Sequence, residues 1–317
     1  MLSRVADSLY WMSRYLERTE HSGRMMAVKL ESMIEQTPED VAASWMRVSE
    51  ALTGEIIPEA APDAFAATSR LAFDRENAAS LIASLSLARD NARQVREALS
   101  IEVWDKLNRL YLRLAPVTMN SIWVHSPARL FREVLEDLHA LEGVTNSTLS
   151  HGEGWYFLEL GKHIERAQLL GRLLDVHFRG PRDGNQNTPK YFDWLVLLKF
   201  CTAFEPYTKL YTASIRPQKI AEFLLFDPEF PHSIRFSVAA LENAIKEIGG
   251  EVIGLRSSRI ERIAGRLSAT LGFGQIDEIM SGGIQPYLDG VLRQCGQMHS
   301  ALFQTFISYP IEAALQF

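Results

Sequence analysis

Apolar residues recur along this 317-residue chain with the 3.6-residue period of an amphipathic helix. From Ser3 onward, Leu9, Met12, Leu16, Gly23, Met26 and Leu30 fall on one side of a helix that runs until Thr37-Pro38, where proline stops it. Ser126-Pro127 reads as an N-cap with proline at the first helical position, opening a helix over about 128–143. The same pattern predicts helices near 39–53, 77–98, 100–114, 151–179, 190–202, 217–225, 232–248, 251–270 and 286–307. Alternating runs closed by Asn-Gly-type turns are absent, so the fold class is all-α. Residues 54–63 and 180–189 are rich in Gly, Pro and polar side chains and read as loops between helices.

The helical pattern repeats. Leu16-Glu17-Arg18 matches Ile164-Glu165-Arg166 at an offset of 148, which also superposes Gly23-Arg24 on Gly171-Arg172. Trp45 meets Trp194 at 149. Phe73-Asp74-Arg75-Glu76 with Ser80 matches Phe226-Asp227-Pro228-Glu229 with Ser233 at 153, and Asn91-Ala92 matches Asn243-Ala244 at 152. Leu107-Asn108-Arg109-Leu110 matches Ile260-Glu261-Arg262-Ile263, again at 153, so that third Glu-Arg dipeptide belongs to a different helix and is not a third motif. The expected architecture is a helical bundle of two tandem, pseudo-symmetric repeats of about 150 residues, 1–150 and 151–317, packed as one body with a short tail from Tyr309.

The Glu-Arg motifs carry the candidate chemistry. On a wheel with Tyr10 at zero, Arg14, Glu17, His21 and Arg24 share an arc of about 80° with it, whereas Arg18 lies about 100° from Glu17. Adjacent helical residues do not face one another, so neither Glu17 and Arg18 nor Glu165 and Arg166 are partners. A reciprocal arrangement follows: Glu17 meeting Arg166 or Arg172, and Glu165 meeting Arg18 or Arg24, across a pseudo-twofold axis. Such pairs lock two halves of a bundle, or serve as catalytic groups (Glu17, Arg18, Glu165, Arg166) with Tyr10, Arg14, His21, Arg24 and Arg172 binding a ligand.

Arg89, Arg93 and Arg96 lie at i, i+4 and i+7 beside Asn91, a candidate anion-binding stripe. At offset 152 their counterparts are Leu241, Ile245 and Ile248, which makes the stripe a break in the symmetry. The alternative is a solvated face paired with Glu97 and Glu102.

Net charge is −6, with the acidic excess in the first half; neither half is basic enough for a nucleic-acid footprint. A chain this long buries roughly 75% of its unfolded surface and needs no metal or disulfide to fold. Cys201 and Cys295 alone suggest a reducing compartment. No apolar stretch approaches the ~20 residues of a membrane span, and Arg4 and Arg14 interrupt the N-terminus where a signal peptide has its apolar centre. The expectation is a cytoplasmic protein. Glu136 to His139 is a single Glu-x-x-His, short of what a di-iron bundle requires; no nucleophile elbow and no phosphate-binding glycine loop occur, so neither metal nor cofactor is expected.

The opening Met1 to Arg18, the segment Ala88 to Glu97 and the run Leu224 to Ser233 resemble the bacterial alpha-E family over essentially the whole chain. That family takes its name from its helices and a Glu-Arg motif, matched here by Glu17-Arg18 and Glu165-Arg166. The resemblance implies association with circularly permuted ATP-grasp ligases and transglutaminase-like cysteine peptidases, and so a role in making or processing peptide-like amides. The leading expectation is an accessory partner of such a system. One rival is an amide-processing enzyme with Glu17 or Glu165 as general base and Arg18, Arg24 or Arg172 steadying charge; another is a helical scaffold without a small-molecule site.

Overall fold

The computed structural model describes residues 1–33, 37–55, 63–179, 190–212, 214–249 and 257–307, and every regular element among them is helical. The first half contributes α1 (Ser3–Ser32), α2 (Pro38–Thr53), α3 (Ala64–Thr68), α4 (Leu81–Gln94), α5 (Ile101–Leu114), α6 (Met119–Trp123) and α7 (Pro127–Thr148). There follow α8 (Glu153–Phe178), α9 (Tyr191–Phe200), α10 (Phe204–Tyr211), α11 (Pro217–Phe226), α12 (Ile234–Gly249), α13 (Ser257–Gly272), α14 (Ile276–Gly282) and α15 (Ile284–Leu302). Most of the predicted loop 54–63, all of 180–189 and the tail from Tyr309 lie outside the described residues.

Capping chemistry decides where these helices begin. Thr37 accepts from the Asp40 amide at 3.3 Å with Pro38 at the first helical position, and Gly54, at φ 75°, ends α2 in the left-handed region that glycine tolerates. α7 starts at Pro127 as the sequence indicates but continues to Thr148. The helix expected from residue 77 starts only at Leu81, because the Ser80 hydroxyl accepts from the Ala83 amide at 3.2 Å and donates to the Asp74 carbonyl at 2.5 Å. Ser233 repeats both bonds, accepting from the Phe236 amide and donating to the Asp227 carbonyl.

These two caps correct the predicted Arg stripe. They correspond at offset 153, not 152, and one residue rotates a helix face by about 100°. At 153 the counterparts of the buried Leu241, Ile245 and Ile248 are Ala88, Ala92 and Val95, which are equally buried, while Arg89 and Arg93 correspond to the polar Glu242 and Lys246. Arg89 and Arg93 therefore lie on the outer face of α4 and do not interrupt a core stripe, while Arg96 falls past the end of the helix, in the 3-10 turn Arg96–Ala98, and does not continue that face.

α1 and α8 run parallel through the middle of the molecule. The Met1 amino group reaches Glu153 at 2.6 Å near the start of both helices, and Glu17 meets Arg166 at 2.6 Å further along both. α1 rests on α4 and α7, and α8 on α12 and α15. Gly23 lets Leu81 and Leu135 approach α1, and Gly171 lets Ile234 and Leu292 approach α8. Leu9, Met12, Met26, Leu160, Ile164 and Leu173 are buried, each worth about 1.5–3 kcal/mol on removal from water. A helix covered on all sides also buries its polar face, and that face holds the motifs.

Candidate functional site

Each Glu of the motifs is bound by an Arg of the other central helix. Arg166 donates from Nε and Nη2 to the two oxygens of Glu17 at 2.6 and 2.8 Å, and from Nη1 to the Pro231 carbonyl at 3.3 Å. Glu165 accepts from Arg14 at 2.7 Å and from Arg18 at 2.8 Å. The wheel excluded pairing within each dipeptide, and Glu17 meets Arg166 as one of its two options allowed. Arg24, the other arginine considered for Glu165, instead donates to Glu20 at 2.6 Å and to the Phe200 carbonyl at 2.6 Å. Arg172, the other considered for Glu17, contacts neither Glu. Arg14 as a partner of Glu165 was not foreseen, although it lies on the same face as Tyr10.

Burial sets the electrostatics of both centres. It raises the Glu17 pKa against the pull of Arg166, while the bidentate geometry, in which both oxygens accept, requires the ionised carboxylate. Burial acts the same way on Glu165 but is outweighed by Arg14 and Arg18, so that pKa falls. Glu20 is held well below the usual carboxylate range because Arg24 and a hydrogen bond from His139 overcome burial. Burial, with Arg24 and Arg172 nearby, drives His21 down to about 3 and leaves its Nε2 without a partner. Tyr10, pushed up to about 12 by burial, meets His299 Nδ1 at 2.7 Å and lies beneath the Arg14 guanidinium.

Beside the Glu17 centre, α1, α7 and the start of α8 enclose a cleft of about 480 Å³. Glu17, Glu20 and His139 line one part of it; Glu159, Lys162 and Trp155 line another, and leucines and Met12 form the apolar wall. Lys162 bridges Glu159 at 2.7 Å and Glu142 at 3.3 Å. Glu159 is lowered to about 2, since hydrogen bonds from His163 and Lys162 outweigh its burial. Of the four carboxylates, Glu17 and Glu20 are balanced by Arg166 and Arg24 and one of the other two by Lys162, so one negative charge remains beside apolar walls, which suits an amine or cationic group on an aliphatic stem. Reading the sequence did not single out Glu20, Glu159, Lys162 or Trp155; the i+3 spacing of Glu20 from Glu17 was the available signal. His139, noted only in the Glu-x-x-His pattern, pairs with Glu20 at 3.4 Å, and Glu136 is exposed elsewhere.

The Arg89 group lies apart from both centres. Arg89 stacks over Tyr111 at 4.7 Å and donates to Asn108; Arg96 stacks over Trp104 at 4.7 Å. Arg93 is exposed near Asp90, and Asn91 donates to the Leu87 carbonyl of its own helix. α5 aromatics, not Glu97 or Glu102, receive these side chains, so two of the three guanidiniums are packing groups.

Comparison with known proteins adds a family and no chemistry. A family model described as a predicted alpha-helical domain with a conserved ER motif matches residues 1–307. Uncharacterized proteins of Mycobacterium bovis and Mycobacterium tuberculosis are 24% identical over 316 residues, covering 91% of this chain and 35% of theirs. The chain thus spans about a third of the length of the curated relatives it matches. No solved structure matches it.

Proposed function

The chain belongs to the Alpha-E family, and from that premise we propose that it is a cytoplasmic accessory module of an ATP-grasp-dependent system, with a transglutaminase-like peptidase as a second partner, that makes or processes peptide-like amides. It holds the amine-bearing group in the cleft between α1, α7 and α8. The cleft carries the reading: carboxylates lie beside leucines and Trp155, a composition that receives an ammonium group on an apolar stem. The longer relatives support it too, since a region that forms about a third of a larger chain suits a module working beside others. The two thiols, free and buried, accord with a reducing compartment.

Duplication accounts for the shared geometry. Residues 1–150 and 151–317 are proposed as two copies of one helical unit, supported by the matching Ser80 and Ser233 caps and the matching packing at Gly23 and Gly171. The Glu-Arg pairs then lock copy to copy, which is the first task of the motif.

One observation favours a catalytic reading: Glu17 lines the cleft and burial raises its pKa, as suits a general acid or base. Its two oxygens are both held by Arg166, which favours the lock. Co-purification with an ATP-grasp ligase of the same genome tests the accessory role; no complex at micromolar concentration overturns it. Glu17→Gln in the reconstituted mixture separates the readings. Lost turnover at unchanged melting temperature supports catalysis; a melting temperature lowered by several degrees supports the lock.

A further inference from the structure

The two Glu-Arg centres differ in charge. Around Glu17 the account balances: Glu17 takes Arg166, and Glu20 takes Arg24. Around Glu165 it does not. Glu165, Gln168 and Arg172 lie at i, i+3 and i+7 on α8 and share the face that meets α1. Arg14 and Arg18 both donate to Glu165, and Arg14 also donates to Gln168 at 3.0 Å. Arg172, the next side chain on that face, has no hydrogen-bond or ion-pair partner among the described residues. Among the described residues, three guanidiniums therefore share one carboxylate.

A single position accounts for the surplus. At the offset that superposes Glu17 on Glu165, Arg24 falls on Arg172 and Glu20 falls on Gln168. Arg172 has lost the carboxylate that its counterpart keeps one turn earlier. Its side chain is half-buried, and Glu165, already claimed by two arginines, offsets its charge only at a distance. A second group nearby is also unsatisfied: His21 is buried, its Nε2 has no partner, and it lies within electrostatic reach of Arg172.

We propose that the part of α8 beyond Glu165, where the Arg172 Nη1 lies 3.8 Å from the place of a Cβ on Gly54 at the end of α2, is an oxyanion-binding site, in which Arg172 takes a carboxylate or phosphate group through its guanidinium fork, with Arg18 adding positive charge. The ligand supplies the negative charge that Gln168 lacks. Planar bidentate recognition of either oxyanion is what a free guanidinium offers best, and the neighbouring arginines raise the attraction. The site is separate from the acidic cleft, whose lining includes Glu17 and Glu20 but no arginine. It does not depend on the accessory reading, because it rests on charge balance alone.

The test is calorimetric titration of the full chain with inorganic phosphate and, separately, with acetate, at constant ionic strength in chloride, accompanied by melting curves. The expected result is saturable binding of at least one of the two at one site per chain, with a raised melting temperature. Phosphate alone would identify a phosphoryl group as the natural ligand chemistry; acetate binding as tightly would identify a carboxylate. Arg172→Gln is expected to weaken binding at least tenfold and to remove the anion-dependent rise in melting temperature. Gln168→Glu restores the missing carboxylate within the chain, and is expected to raise the melting temperature in chloride while abolishing the response to either anion. Neither anion binding the wild-type chain more tightly than chloride would overturn the proposal. So would wild-type affinity in Arg172→Gln, or, should that variant not fold, wild-type affinity in Gln168→Glu.

Discussion

Gly161 of α8 crosses α1 at Ser13, and the crossing leaves no room for a side chain. A Cβ placed on Gly161 would lie under 3.0 Å from both the Ser13 hydroxyl and the Tyr10 carbonyl oxygen. One helical turn further along each helix stand Glu17 and Glu165, so this approach sets the distance across which both carboxylates reach the opposite arginines. Gly161→Ala should cost at least about 3 kcal/mol, the upper end of what overpacking costs, because one obstructing atom is backbone and cannot rotate away. Ser13→Ala should fail to rescue it for the same reason. Gly296→Ala, within α15 and with nothing inside 4 Å, should instead be neutral or gain about 0.5–1 kcal/mol. Urea denaturation of the three variants checks the ranking.

The unequal charge of the two centres predicts unequal losses. Removing one member of a buried ion pair costs about 3–5 kcal/mol. Glu165→Gln leaves Arg14 and Arg18 without a carboxylate and Arg172 with less compensation, whereas Glu17→Gln leaves Arg166 within the field of Glu20. Glu165→Gln should therefore be the more damaging by at least about 1 kcal/mol. A double-mutant cycle between Glu17 and Arg166 should return a coupling of about 1–3 kcal/mol. Equal melting temperatures for the two Gln variants would contradict the charge count.

How much of this was legible beforehand follows from which distances sequence spacing can measure. That Glu17 cannot serve Arg18 is a property of one helix, and the 100° between neighbours settles it. That Glu17 finds Arg166 required only the parallel alignment of two similar helices. The cleft was not legible, because Glu20 on α1, His139 on α7 and Trp155 on α8 line it from three helices whose relative placement no single period encodes. The register of α4 against α12 failed by one residue, since the match of Asn91-Ala92 to Asn243-Ala244 gave 152 where the serine caps impose 153. The short helices α3, α6 and α14, of five to seven residues, span too few turns to show a period.

Acid should destabilise the fold from pH 6.5 downward. Burial lowers His21 to about 3, His163 to about 4 and His177 to about 4. Below the unfolded value of about 6.5 the unfolded chain binds protons that the folded chain refuses, so stability rises with pH across this window and falls on acidification. Each histidine contributes up to about 1.4 kcal/mol per pH unit between its two pKa values. Glu159, held at about 2, adds a loss of the same sign once the pH drops below the ordinary carboxylate range. Glu17, whose pKa is raised, opposes it. Chemical denaturation at pH 7.5, 6.0 and 5.0 should give a midpoint that is highest at 7.5. His163→Gln should flatten the slope, and a profile independent of pH would contradict the neutral buried histidines.

The serine caps offer the sharpest test of duplication, because they predict equal energies at two places with different neighbours. Ser80 and Ser233 are both fully buried, both donate to the carbonyl of an aspartate six residues earlier, and both accept from the amide three residues later. Asp74 and Asp227 in turn each accept from the amide two residues on, at 2.9 Å in both turns. Loss of such a cap costs about 0.5–2 kcal/mol, and here the unsatisfied Asp carbonyl adds to it. Ser80→Ala and Ser233→Ala should each lose about 1–2 kcal/mol, within about 0.5 kcal/mol of one another. The double variant should be additive within about 0.5 kcal/mol, since the two turns share no partner. A large loss at one serine and none at the other would mean that the two turns agree in shape without agreeing in function, and would remove the energetic argument for two copies of one unit.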